Sequence, residues 1–255
     1  MKELAGRVAV VTGASREQGI GAAVCRALAG MGASIFFTHW TAFDDHAGFD
    51  IGTGPDALLQ ELRRSVPAES LEIDLSAPGA ARRVMDAAQE CLGVPTILIN
   101  NAAYWAAGSF RDVTEETVDQ HLAVNARATT MLAVELVRRA SPVGWGRVIS
   151  LVSGQDHSGE VNNLPYGSSK GAVSAMTRYL AREAAPYGIT VNAVDPGPTD
   201  TGWMDEETKA AILDQSPSGR IGLPVDAART IAFLASPAAE WITGQVIRAD
   251  GGFPE

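Results

Sequence analysis

The sequence predicts a single doubly wound α/β domain: one parallel sheet of seven strands with helices on both faces. Three observations predict it. Short β-branched or apolar runs alternate with helix-like amphipathic stretches along the whole chain. A glycine-rich turn lies directly between the first apolar run and the first helical stretch. No linker, low-complexity tract or repeat interrupts the alternation, so the 255 residues read as one domain. In such a sheet ligands lie outside the carboxyl ends of the strands, where the turns are.

The elements follow in order. Arg7–Thr12 (RVAVVT) reads as a fully buried strand, Ala22–Met31 as a helix with small and apolar residues on one face, and Ala33–Thr38 (ASIFFT) as a second strand. Strand, turn, helix and strand within about thirty residues make a βαβ unit. Trp40–Asp56 reads as a polar, glycine-bearing loop, Ala57–Ser65 as a helix and Ser70–Asp74 as a strand. Gly79–Leu92 is the next helix and Thr96–Ile99 (TILI) the fourth strand. Thr114 is placed to cap a long helix whose first turn carries Glu115 and Glu116, as the helix dipole prefers. Its inward seam runs Val118, Leu122, Asn125, Thr129, Leu132 and Leu136, at alternating spacings of three and four. Arg147–Val152 is the fifth strand, Leu164–Ala185 a helix closed before Pro186, and Ile189–Val194 the sixth strand. Pro196–Gly222 is rich in Pro, Gly, Asp and Ser around a short helical piece (Glu206–Leu213), which suggests a mobile flap over residues 198–222. Val225–Ala235 and Gln245–Ala249 complete the pattern as helix and strand.

Composition narrows the function classes. The formal net charge of −10 argues against nucleic acid as the main partner, because phosphate binding needs a basic face. Cys25 and Cys91 are too few and too far apart for a disulfide framework, and both are expected as small buried hydrophobes. The first apolar run stops at a glycine after six residues, which makes it a strand and not a signal peptide or a membrane span. A cytoplasmic protein is expected. His39, His46, His121 and His157 have no metal-binding spacing, so no metal is expected.

Two patterns carry chemistry. In Thr12-Gly13-Ala14-Ser15-Arg16-Glu17-Gln18-Gly19-Ile20-Gly21, Gly13 permits the turn, Gly19 lets the backbone approach a pyrophosphate, and Gly21 allows close helix–strand packing. The helix that follows offers unpaired N–H groups to phosphates. The second pattern is Tyr166-Gly-Ser-Ser-Lys170, with Ser153 thirteen residues before the tyrosine. On a helix Tyr166 and Lys170 stand one turn apart, and an ammonium there is expected to draw the phenol pKa below its usual value of about 10. Asn125 interrupts an otherwise apolar or small-residue seam, so it should face inward and needs partners.

Together these residues resemble the short-chain dehydrogenase/reductase family, the 3-oxoacyl-acyl-carrier-protein reductase-like branch in particular, over essentially the whole chain. The glycine turn is similar to the family's TGxxxGIG with two extra residues, Glu17 and Gln18. Asn100-Asn101-Ala102-Ala103 resembles NNAG with alanine in the last place, and Asn125, Ser153, Tyr166 and Lys170 match the family's asparagine, serine, tyrosine and lysine. Asp195-Pro196-Gly197 matches its PG turn, and Thr243-Gly244-Gln245 with Asp250-Gly251-Gly252 its last strand and turn. The resemblance implies a Rossmann-type fold, a nicotinamide cofactor and a homotetramer. It implies that Tyr166 exchanges a proton with a carbonyl or alcohol oxygen, Ser153 polarises that oxygen, Lys170 also bonds the nicotinamide ribose, and Asn125 holds a water leading from Lys170. The cofactor set it implies is Gly13, Ser15, Arg16, Gly19, Ile20, His39, Asp74, Leu75, Asn101, Tyr166, Lys170, Pro196, Gly197 and Thr199, with Asp74 and Leu75 at the adenine and Thr199 at the carboxamide.

The second strand ends Thr38-His39-Trp40 with no carboxylate for a ribose, and Arg16 is placed to meet a 2′-phosphate, so NADP(H) is favoured over NAD(H). The displacement of Arg16 by the insertion, and Asp44 and Asp45 a few residues on, weigh the other way. The expected substrate wall is Trp105, Gln155, His157, Trp203 and Met204, with Tyr104 beside it, suited to a moderately apolar small molecule. The expected reaction interconverts a ketone, with a 3-oxoacyl thioester as the candidate substrate, and a secondary alcohol. Three alternatives stand beside it. A sugar or polyol dehydrogenase shares the scaffold, a non-catalytic dinucleotide-binding regulator is disfavoured by Ser153, Tyr166, Lys170 and Asn125 together, and a halohydrin dehalogenase is disfavoured by Lys170 and the glycines.

Overall fold

Alternating side chains along three of the strands drive the architecture. Ala9 and Val11, Ile35 and Phe37, and Ile97 and Ile99 enter one buried cluster, while Val10, Phe36 and Leu98 enter the other. A sheet buried on both faces must be covered on both faces, and these runs therefore specify a three-layer structure. The computed structural model describes residues 2–47 and 53–254, without the side chains of 45–47, 156 and 157.

The strands are β1 (Val8–Val11), β2 (Ser34–His39), β3 (Ala68–Glu72), β4 (Ile97–Asn100), β5 (Gly146–Leu151), β6 (Ile189–Asp195) and β7 (Val246–Arg248). They form one sheet in the order β3-β2-β1-β4-β5-β6-β7, and every pair is parallel. Helices α1 (Ile20–Gly30), α3 (Gly54–Arg63) and α10 (Pro224–Ala235) supply the cluster on one face. Helices α4 (Ala80–Leu92), α6 (Thr129–Ala140) and α8 (Leu164–Ala184) supply that on the other. The strand order reverses between β1 and β4, which opens a crevice at their carboxyl ends. Thr12, Asn101, Ser153 and Pro196 all follow strands that end at that edge.

Four expectations are corrected. The segment after β2 is not all loop: Thr41–Ala47 is a helix, α2, stabilised by Phe43, whose ring lies 6.3 Å from Trp40 and 5.7 Å from Tyr104. The third strand starts two residues earlier than expected because it is an edge, paired with β2 alone, and its half-exposed residues give no apolar run. The long helix is broken into α5 (Glu115–His121), a π-helical stretch (Leu122–Ala128) and α6. The wider π turn makes a spacing of four point inward, so His121 is buried and Leu122 is exposed, the reverse of the seam expected. Cys25 is buried as expected, but Cys91 near the end of α4 is exposed. The Thr114 cap is present, its hydroxyl accepting from the Thr117 N–H at 3.2 Å. Among the described residues no helix is long and apolar enough to cross a membrane.

Helix α1 closes on the turn after β1 at Gly21. A Cβ there would lie 2.6 Å from the Gly13 carbonyl oxygen and 2.8 Å from Asn101 Nδ2, both held in place by backbone. Gly21→Ala should therefore destabilise by about 1–3 kcal/mol, read in calorimetry as a melting temperature lower by roughly 2–12 °C. An unchanged melting temperature would show that α1 can move away without cost.

Candidate active site

The glycine turn is built as a cradle. Gly13 has φ +72°, and a Cβ on it would stand 2.7 Å from Ala102 Cα, so both conformation and space require glycine. Asn101 Nδ2 donates to the carbonyl oxygens of Thr12 and Gly13 at 2.8 Å each, and Thr12 Oγ1 accepts from the N–H groups of Asn101 and Ala102 at 3.0 Å. The turns after β1 and β4 are thereby locked together. Gly19 is the N-cap of α1, with no side-chain cap and no acidic residue in the first turn. These N–H groups face the crevice end of the sheet, and the cradle fits a diphosphate.

Farther out, α2 changes the surroundings of Arg16. The Arg16 Nε lies 3.7 Å from Asp44 Oδ1, and its Nη1 donates to the Thr201 carbonyl at 3.4 Å. Burial lowers the Arg16 pKa and the charge of Asp44 opposes that shift. Ser15 Oγ accepts from the Trp40 N–H at 3.4 Å, and His39 has a buried Nδ1 with no protein partner. Asp74 accepts from both the N–H and the hydroxyl of Ser76, at 2.7 and 2.8 Å. The turn after β6 is equally tied: Thr199 Oγ1 donates to the carbonyls of Pro196 and Gly197, 3.2 Å from each.

Tyr166 and Lys170, in the first turns of α8, lie against the end of β5, the strand that Ser153 follows. Lys170 is only 4% exposed, donates from Nζ to the Leu151 carbonyl at 2.8 Å, and lies 5.5 Å from the centre of the Tyr166 ring. Ser153 Oγ accepts from the Gln155 N–H at 3.3 Å. The shift expected for Tyr166 is reversed. Burial first, and the charge of Asp195 second, push its phenol up to about 12. The Lys170 ammonium, on the neighbouring turn, is bonded to a carbonyl at the end of β5. Asn125 faces inward as expected. Its Oδ1 accepts from the Tyr104 N–H at 2.8 Å, and its Nδ2 donates to the Tyr104 carbonyl and Ser169 Oγ at 2.9 Å each. Both amide protons are used, which leaves one lone pair of Oδ1 for the water that the resemblance implies.

Against known proteins, residues 13–254 match the family model described as enoyl-(acyl carrier protein) reductase. The chain belongs to the short-chain dehydrogenase/reductase family. An uncharacterized oxidoreductase of Bacillus subtilis, YjdA, is 46% identical over 97% of this chain and 96% of its own. An NADPH-dependent chloroplastic aldehyde reductase of Arabidopsis thaliana is 35% identical, covering 98% and 94%. Among solved structures, a blue fluorescent protein from a metagenomic library, in complex with NADPH, superposes with a TM-score of 0.88 at 34% identity, covering 99% of this chain and 100% of that one. This short-chain dehydrogenase/reductase is thus an oxidoreductase whose dinucleotide is a nicotinamide.

The residues expected on the substrate wall are brought together unequally. Trp105 and Trp203 are 55% and 52% exposed, and each indole N–H is anchored, to Asn163 Oδ1 at 2.8 Å and to the Thr199 carbonyl at 3.1 Å. Met204 is 6% exposed and offers little surface. Gln155 lies in a short helix, α7 (Gln155–Ser158), and its amide donates to Glu160. The side chains of Asp45, His46 and His157 lie outside the described residues.

Sequence reading missed His121. Its Nδ1 lies 2.7 Å from the Thr117 carbonyl, Nε2 accepts from the Ala106 N–H at 3.2 Å, and the ring stands edge-on to Tyr104 at 4.8 Å and to Tyr166 at 6.3 Å. Only the π turn turns this histidine inward. Burial lowers its pKa, so the folded enzyme binds fewer protons here than the unfolded chain. Stability is therefore full above the unfolded value of about 6.5 and falls as the pH drops towards the folded value. His39, with a pKa also lowered by burial, contributes in the same sense. His121→Gln, which keeps an acceptor for the Ala106 N–H, should flatten the fall of melting temperature between about pH 7 and pH 5. An unaltered slope would assign the acid sensitivity elsewhere.

Proposed function

We propose that this enzyme is an NADP(H)-dependent carbonyl reductase that converts an apolar ketone to a secondary alcohol, and reverses the reaction on alcohols. The observation that carries the reading is a phenol held protonated at the strand-end crevice, one helical turn from a buried lysine and beside an empty-capped dinucleotide cradle. A protonated tyrosine is the form that reduction needs.

Each residue has a role that its surroundings support. Tyr166 Oη gives its proton to the carbonyl oxygen as negative charge develops there, and the Ser153 hydroxyl donates a second hydrogen bond to the same oxygen. Lys170, anchored on Leu151, holds the ribose hydroxyls of the dinucleotide and supplies the positive charge that stabilises the phenolate left behind. Asn125 fixes the loop at Tyr104 against α8, through Ser169. Gly13, Gly19 and Ile20 bind the diphosphate, with Ser15 and Arg16 outward of it, Asp74 and Leu75 at the adenine, and Thr199 with the Pro196-Gly197 turn at the carboxamide. The nicotinamide supplies the hydride.

For the cofactor, Arg16 and the NADPH named for the Arabidopsis relative and the fluorescent protein support NADP(H). Asp44, brought to Arg16 by α2, favours NAD(H). The exposed faces of Trp105 and Trp203 favour an apolar ketone, with 3-oxoacyl thioesters the first class to test, over a sugar or polyol. Residues 198–222, hinged where Thr199 bridges Gly222 and carrying α9 (Glu206–Gln215) with no buried residue, would cover the substrate.

Two measurements test this. Tyr166→Phe should lower carbonyl reduction by roughly 10²–10⁴-fold with NADPH affinity nearly unchanged, and retention within about tenfold would refute the acid assignment. Arg16→Ala should weaken NADPH binding by about tenfold or more while NADH changes little, since a charge-assisted contact is worth about 1.5–3 kcal/mol. Tighter binding of NADH than NADPH by the parent would reverse the cofactor preference.

A further inference from the structure

The turn after β4 that carries Trp105 is held at both of its flanking residues. Asn125 takes both polar backbone groups of Tyr104, and the Ala106 N–H donates to His121 Nε2 at 3.2 Å. The exposed Trp105 indole stands between these anchors, its own N–H bonded to Asn163 Oδ1. Of the three side chains that hold the turn, only His121 can change its charge near neutral pH. It is fully buried, and none of the roles above uses it.

Two hydrogen bonds fix the tautomer of this histidine. A carbonyl can only accept, so Nδ1, 2.7 Å from the Thr117 oxygen, carries the proton. A backbone N–H can only donate, so Nε2 offers its lone pair to Ala106. Protonation sets an N–H at Nε2 against the Ala106 N–H, two donors with no acceptor between them.

The surroundings give an imidazolium nothing in return. From the turn the Tyr104 ring meets His121 edge-on, and from α8 so does Tyr166, with a second cation, Lys170, beyond it. From the π-helical stretch the neutral amide of Asn125 is spent on Tyr104 and Ser169, and Arg127 reaches the Ser76 carbonyl. Asp112, in the loop before α5, is turned to Ser109, and the α5 carboxylates Glu115, Glu116 and Asp119 are exposed. Burial is the largest influence on the ring and opposes its charge.

We propose that His121 is a positioning residue for the substrate wall: its neutral imidazole, through the Ala106 N–H, holds Trp105 in place for an apolar ketone, and its protonation frees that turn. Acid then weakens the hold on the ketone and leaves the proton donor Tyr166 where it is. The proposal rests on the reading of Trp105 as substrate wall, yet its first test needs no turnover.

That test is hydrogen–deuterium exchange of the turn spanning 102–110 in the parent, His121→Gln and His121→Leu, compared at equal pH. The glutamine keeps an uncharged acceptor for Ala106, and the leucine keeps bulk without one. At about pH 7.5 the parent and His121→Gln should exchange alike and His121→Leu at least about fivefold faster. Towards about pH 5, on the acid side of the usual histidine value, the parent should approach His121→Leu while His121→Gln stays protected. The second test is reduction of acetophenone at saturating NADPH. Over the same range the parent KM should rise at least about fivefold with kcat within about twofold, and that of His121→Gln should stay flat. Parent-like protection in a folded His121→Leu overturns the proposal, and so does an acid-side rise of KM that persists in His121→Gln. Loss of folding in both variants assigns His121 to structure alone and overturns it too. An unchanged KM in Trp105→Ala would overturn the substrate-wall reading without altering the exchange comparison, so the two failures are told apart.

Discussion

The structure depends on how the carboxyl ends of a parallel sheet satisfy their backbone. Strands that stop side by side leave carbonyls and N–H groups that no neighbour pairs, and leaving one buried and unpaired costs about 1–3 kcal/mol. Here polar side chains at the strand ends take them. Asn101 holds the carbonyls of Thr12 and Gly13, Asn125 grips both polar groups of Tyr104, and Asp195 accepts from Gly197. Asn100 ties β4 to Ser150 of β5 and to the Thr129 carbonyl. Each bond also fixes a turn that faces the crevice, so the same residues that keep the sheet satisfied hold the site in shape.

This explains why so much was legible in the sequence. Buried strands such as Val8–Val11 need apolar side chains, close approaches such as Gly21 admit only glycine, and satisfied strand ends need Asn or Asp at fixed places. Local constraints of that kind survive as spacing. What escaped depended on contacts far apart in the chain. Helix α2 carries a polar sequence, and the aromatic pairs of Phe43 with Trp40 and with Tyr104, some sixty residues away, are what hold it in place. The inward turn of His121 needed one widened turn, which no periodicity of three and four can express.

The direction of the tyrosine shift escaped for a related reason. Spacing on a helix places Lys170 beside Tyr166, but it says nothing of where the ammonium points or of what lies across from the phenol. The lysine reaches the Leu151 carbonyl on the neighbouring strand end, and the carboxylate comes from β6, about thirty residues farther along the chain. Charge pairs within one turn are readable; a field assembled from three elements is not.

That field has a chemical logic. A general acid must hold its proton until the carbonyl oxygen becomes basic, and must then tolerate the charge it is left with. A single nearby cation would serve the second requirement and weaken the first. For Tyr166 in its proposed role as the acid, burial first and the charge of Asp195 second meet the first requirement, because both raise the cost of phenolate in the free protein. The ammonium, 5.5 Å from the ring centre, can then act on the charge that appears during transfer. Asp195 also bonds the N–H of Gly154, the glycine after Ser153, so the turn that carries the serine is fixed to the end of β6.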